Sequence, residues 1–170
     1  MADGYDGVFG AFPYAFRKSD SWLFRLYVVV AVLASLAVTL LVALGLVVLI
    51  AETAALQGGS LTLSRAFYVL VGLFIVGPLI APALFVARRH RRGFARTDHY
   101  DALLALAGFL FLASLYVGLV ITVPPSQQTP ATGPLAPAVR FLYGLPAVFG
   151  LVPPLVCALL IGAVHRYASR

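Results

Sequence analysis

Five arginines and a histidine fall within nine residues, "RRHRRGFAR", from Arg88 to Arg96. Guanidinium groups at this density suit phosphate. Arg88, Arg89, Arg91, Arg92 and Arg96 are therefore candidates for contact with nucleic acid or with anionic lipid headgroups. Few other groups could do chemistry. His90, His99 and His165 are of the type that ligates metal or moves a proton, and Asp98 and Asp101 of the type that serves as acid or base. Cys157 carries the single thiol. None stands in a motif: the chain has no phosphate-binding loop, no glycine-rich dinucleotide fingerprint and no His-x-x-x-His pair. One cysteine allows no internal disulfide and no cysteine metal motif. The sequence thus predicts no catalytic residue, no cofactor and no metal.

What surrounds the arginines decides their meaning. The 170 residues are 62% hydrophobic and 11% charged, with a mean hydropathy of +0.99. Soluble domains carry about 25% charged residues. A core of this size cannot bury so much apolar surface, so the excess must face lipid or an apolar partner. Apolar runs lie at about 24–51, 66–87, 102–123 and 139–164. About 20 such residues cross the hydrocarbon core as a helix. The runs lack two-residue alternation, which argues against strands. The first run is longer than the roughly 7–15 residue core of a signal peptide and reads as an uncleaved span. The expectation is an all-α, four-helix transmembrane bundle: a single domain over residues 23–167, preceded by an aromatic interfacial segment at 1–22.

Charge orients the bundle. With the N-terminus inside, the inner segments hold ten basic residues: Arg17, Lys18, Arg25, the five of the cluster, Arg166 and Arg170, plus none elsewhere but Arg65 and Arg140 outside. Ten against two follows the positive-inside rule and places both termini in the cytoplasm of a multi-pass protein of the cell membrane. Topology then explains the cluster, with membrane lipid headgroups as its neighbours. No recognition fold accompanies the charge, so no nucleic-acid partner is expected.

The ends and loops carry local signals. Phe9, Phe12, Tyr14, Phe16 and Trp22 interleave with glycines and Pro13, a pattern suited to the membrane boundary as a short interfacial helix or turn, or to a tail packed under the bundle. Ser19 or Asp20 is placed to cap the first span. Asp98 reads as the cap of the third, with Asp101 favouring the same helix start. Glu52 and Arg65 are positioned to meet across the first outer hairpin. The three histidines fall at the inner boundary, where solvent or headgroups would face them.

Within the spans, no Asp, Glu, Lys, Arg or His stands at mid-depth, which argues against a proton relay or an ion-coupled carrier. Ala31, Ser35, Thr39 and Ala43 repeat every four residues along the first span. Small residues at this spacing allow close helix packing in lipid. Gly77 with Ala81, Ser114 with Gly118 and Ala158 with Gly162 repeat it in the others. Pro78 and Pro82 in the second span, and Pro153 and Pro154 in the fourth, predict kinks. Tyr116 and Thr122 are the polar groups nearest any cavity such kinks would open.

The opening "GVFGAFPYAFRKSDSWLFRLYV", followed by an arginine-rich central loop, resembles small uncharacterised four-span membrane proteins of salt-loving archaea, a domain of unknown function. The resemblance implies membrane location and span count, and carries no functional residue. The net charge of +6 departs from the acidic character of that group's soluble proteins. The leading expectation is a non-enzymatic accessory or packing subunit of a membrane assembly, partnered by other membrane proteins or by itself. The alternative is a small-solute channel or transporter using kinked second and fourth spans.

Overall fold

The computed structural model describes residues 7–54, 59–93 and 98–168, and the side chains of these except at 59–62 and 98. Among the described residues there are six α-helices: α1 (Gly7–Lys18), α2 (Trp22–Thr53), α3 (Gly59–Arg91), α4 (Asp98–Ile121), α5 (Ala136–Tyr143) and α6 (Val152–Ala168). Short 3-10 turns at Pro125–Gln127 and Ala147–Leu151 lie between α4 and α6. No strand occurs among the described residues. Four segments are long and apolar enough to cross a membrane: Trp22–Thr53, Leu63–Arg91, His99–Ile121 and Ala147–Ala168.

The aromatic N-terminal segment is helical over Gly7–Lys18. Ala11 and Ala15, one turn apart, are fully buried and join Ala83, Val86 and Ala87 of α3 in one core cluster. Alanine at both positions lets the two backbones approach closely. The turn to α2 is fixed by Ser19, whose Oγ accepts from the Ser21 amide at 3.3 Å and whose carbonyl accepts from Arg25 Nε at 2.9 Å. The cap itself is Ser21, with its Oγ accepting from the Phe24 amide at 3.3 Å. The expected caps, Ser19 and Asp20, both precede it, and the buried Ser19 hydroxyl is instead bonded to the Ser21 amide.

Tyr27 ties α2 to both of its neighbours. Its hydroxyl donates to the Leu79 carbonyl of α3 at 2.6 Å. Its ring lies on Gly108 of α4, where any side chain would collide with it, and meets Phe109 edge-on at 5.3 Å. Beyond Ala31 no residue of α2 is buried. From there to Thr53, contact with α3 runs through Val42 against Gly72 and Tyr68 against Gly45.

The apolar run at 139–164 is divided in the structure. Gly144 ends α5 by donating to the Arg140 and Phe141 carbonyls. Pro146 then caps a 3-10 turn, and α6 begins at Val152. Pro153 and Pro154 occupy the first turn of α6. Amides there have no partner within the helix, so proline starts this helix rather than bending it. Pro78 and Pro82 do lie inside α3. Gly118 of α4 and Gly150 of the 3-10 turn meet backbone to backbone, and a methyl group on either would strike the other's carbonyl oxygen.

Candidate functional site

The most polar part of the described structure is the end where α3 and α6 stop and α4 begins. The last turn of α3 carries four consecutive basic residues, Arg88 to Arg91. A helix sends neighbours in sequence to different faces, and the cluster divides accordingly. Arg89 turns inward. Its guanidinium lies 4.2 Å from the centroid of the Tyr100 ring, and its Nη1 donates to the Ala168 carbonyl at the end of α6, at 2.9 Å. His90 turns toward α4 and pairs with Asp101 at 3.1 Å. Arg88, Arg91 and Arg92, spaced by three and four, are exposed. Gly93 closes the helix with φ of 69°, the left-handed conformation favoured by glycine at such ends. Arg96 lies outside the described residues.

His165 completes the arrangement from α6. Its Nδ1 shares a 2.7 Å hydrogen bond with the Tyr100 hydroxyl. Its ring stacks on Phe85 at 4.0 Å between centroids and 11° between planes. The residue is a packed junction between α3, α4 and α6, whereas its place at a span end suggests solvent or headgroup contact. His99 is exposed. Asp101 likewise has a role beyond favouring the start of α4, since its carboxylate is largely buried against His90. The expected cap at Asp98 falls on a side chain outside those described.

Chemically, the arrangement joins rather than reacts. A guanidinium, a phenol and an imidazole bind three helix ends through a guanidinium–ring contact, a ring stack on Phe85 and two hydrogen bonds, with the His90–Asp101 hydrogen bond alongside. Among the described residues, no group of three or more His, Cys, Asp or Glu is gathered as metal ligands. Cys157 is half-buried against the core.

The other predicted positions are scattered. Ala31 is buried in the core, Ser35 is half-buried, and Thr39 and Ala43 are exposed. The stripe therefore enters the bundle at its first member and, through the buried Ser35 hydroxyl, in part at its second, and leaves it beyond. Tyr116 is exposed, and the Thr122 hydroxyl donates to the Leu119 carbonyl of its own helix at 2.9 Å. Arg65 bonds to Thr53 rather than Glu52, donating to its hydroxyl at 2.6 Å and to its carbonyl at 3.3 Å. Neither Tyr100 nor Phe85 belongs to a motif. The available signal was an aromatic residue within one helical turn of a histidine or arginine at each span end.

The fold and this junction define an all-helical protein with four apolar helices able to cross a membrane and a basic end pinned by aromatic and charged contacts. Residues 1–169 match the family described as a domain of unknown function, DUF8056, and the chain belongs to that family. No curated protein and no solved structure matches it.

Proposed function

We propose that the chain is a multi-pass protein of the cell membrane, with both termini in the cytoplasm, that works without catalysis by packing against a second copy of itself. The observation that carries this reading is the state of α2. Its small-residue stripe is used inside the bundle at Ala31 but left on the surface at Thr39 and Ala43. Leu36 and Leu40 flank these positions and are exposed as well. Small residues one turn apart on a free helix face permit the close backbone approach that drives helix association in lipid. The charge distribution, ten basic residues on one side against two, supports the orientation.

Crosslinking tests the association. In a Cys157→Ser background, Ala43→Cys should give disulfide-linked dimers in native membranes, and Thr39→Leu should reduce them. A strictly monomeric species in mild detergent, with no crosslink at position 43, overturns the reading. Orientation is tested with a membrane-impermeant thiol reagent on intact cells: Thr129→Cys should react and His99→Cys should not.

A further inference from the structure

We infer that Arg88, Arg91 and Arg92 form, together with the exposed face of α1, a docking surface for anionic phospholipid headgroups. Three observations converge. First, the structure sorts the arginine cluster. Arg89 and His90 are held against Tyr100, Ala168 and Asp101, while Arg88, Arg91 and Arg92 are exposed to the surroundings. Arg88 and Arg91, three residues apart, share a face at the end of α3, and Arg92 follows in the turn that closes it. Guanidinium groups engage phosphate oxygens through two parallel N–H donors, which suits a phosphodiester headgroup.

Second, α1 supplies an apolar edge beside this charge. Phe9, Pro13 and Phe16 recur at four and three residues and are all exposed, opposite the buried Ala11 and Ala15. The helix ends in Arg17 and Lys18, also exposed. A helix with aromatics along one stripe and cations at its end fits the boundary between acyl chains and headgroups. It packs against α3, whose last turn bears the arginines, with Ala11 and Ala15 in the same buried cluster as Ala83, Val86 and Ala87. Third, Trp22, at the start of α2, is 74% exposed, as tryptophan is at a membrane boundary.

The partner is thus a phosphate-bearing lipid of net negative charge, such as phosphatidylglycerol. The inference holds whichever way the chain is oriented and whether or not it self-associates. The test is the relative association of spin-labelled phosphatidylglycerol and phosphatidylcholine with the whole protein reconstituted in vesicles. A several-fold preference for phosphatidylglycerol is expected. The triple variant Arg88→Gln, Arg91→Gln, Arg92→Gln should bring it toward unity, while Arg89→Gln should leave it in place. The preference of the unaltered protein should shrink as salt rises from about 0.1 M to about 1 M, because the screening length falls from ~10 Å to ~3 Å. This arm holds even if the triple variant inserts poorly. Equal association of the two lipids with the unaltered protein overturns the inference. So does a preference that survives both salt and the triple variant, or one abolished by short RNA at a phosphate concentration matched to inorganic phosphate that has no effect.

Discussion

The Tyr100 hydroxyl and His165 Nδ1 lie 2.7 Å apart, joining the start of α4 to the end of α6. Each partner is held in turn: the His165 ring stacks on Phe85, and the Arg89 guanidinium lies over the Tyr100 ring. Tyr100→Phe keeps the ring under Arg89 and removes only the hydroxyl. It should cost about 1 kcal/mol, the usual net worth of a hydrogen bond. His165→Leu removes the stack as well and should cost more. Because the two residues touch, a double-mutant cycle should show coupling of roughly 0.5–3 kcal/mol, read from reversible unfolding in mixed micelles.

Asp101→Asn should weaken the α3–α4 junction, because the carboxylate is largely buried against His90. Removing the charge leaves the imidazole with a poorer partner, at a cost of about 1–3 kcal/mol. Arg88→Gln, on an exposed residue of the same α3 turn as His90, should stay within about 0.5 kcal/mol. Thermal inactivation of the detergent-solubilised protein separates the two.

Gly118→Ala and Gly150→Ala should each destabilise the contact between α4 and the 3-10 turn. Each methyl group would meet a carbonyl oxygen of the facing backbone, and overpacking of this kind costs about 1–3 kcal/mol. Gly77→Ala and Gly162→Ala open onto free space and should be neutral or slightly stabilising, since alanine is the better helix former. A uniform response across the four variants would contradict the packing described.

Tyr27→Phe should lose the bond to the Leu79 carbonyl, about 1 kcal/mol, with the ring contact on α4 kept. Gly108→Ala should cost more, because the Tyr27 ring itself would have to move. Ser21→Ala should cost about 1 kcal/mol through the lost helix cap. Unfolding midpoints for the three should rank in that sense, with Gly108→Ala lowest.

The helical architecture was legible because it follows from composition and run length, which need no knowledge of distant contacts. The arginine cluster was also visible, but not its division. Arg88 and Arg89 look alike in sequence, and only helix rotation sends one outward and the other onto Tyr100. His165 finds its partner 65 residues away, a separation no local pattern encodes. The break between α5 and α6 was hidden because hydropathy does not change across it. What changes is hydrogen bonding, at Gly144 and Pro146. Pro153 and Pro154 suggested a bend because their run looked continuous. Once α6 is seen to start at Val152, the same residues are helix starters.

The rods of this bundle are unequal: α2 has 32 residues and α3 has 33, while α6 has 17. At 1.5 Å per residue, these are about 48, 50 and 26 Å long. A hydrocarbon layer is about 30 Å thick. Set across such a layer, the α2–α3 pair would overreach it and would have to lean or carry its polar ends into the headgroups, while α6 would need the 3-10 turn from Ala147 to complete its crossing. A bilayer around this molecule would therefore meet long, leaning rods on one side and a crossing completed by a tight turn on the other.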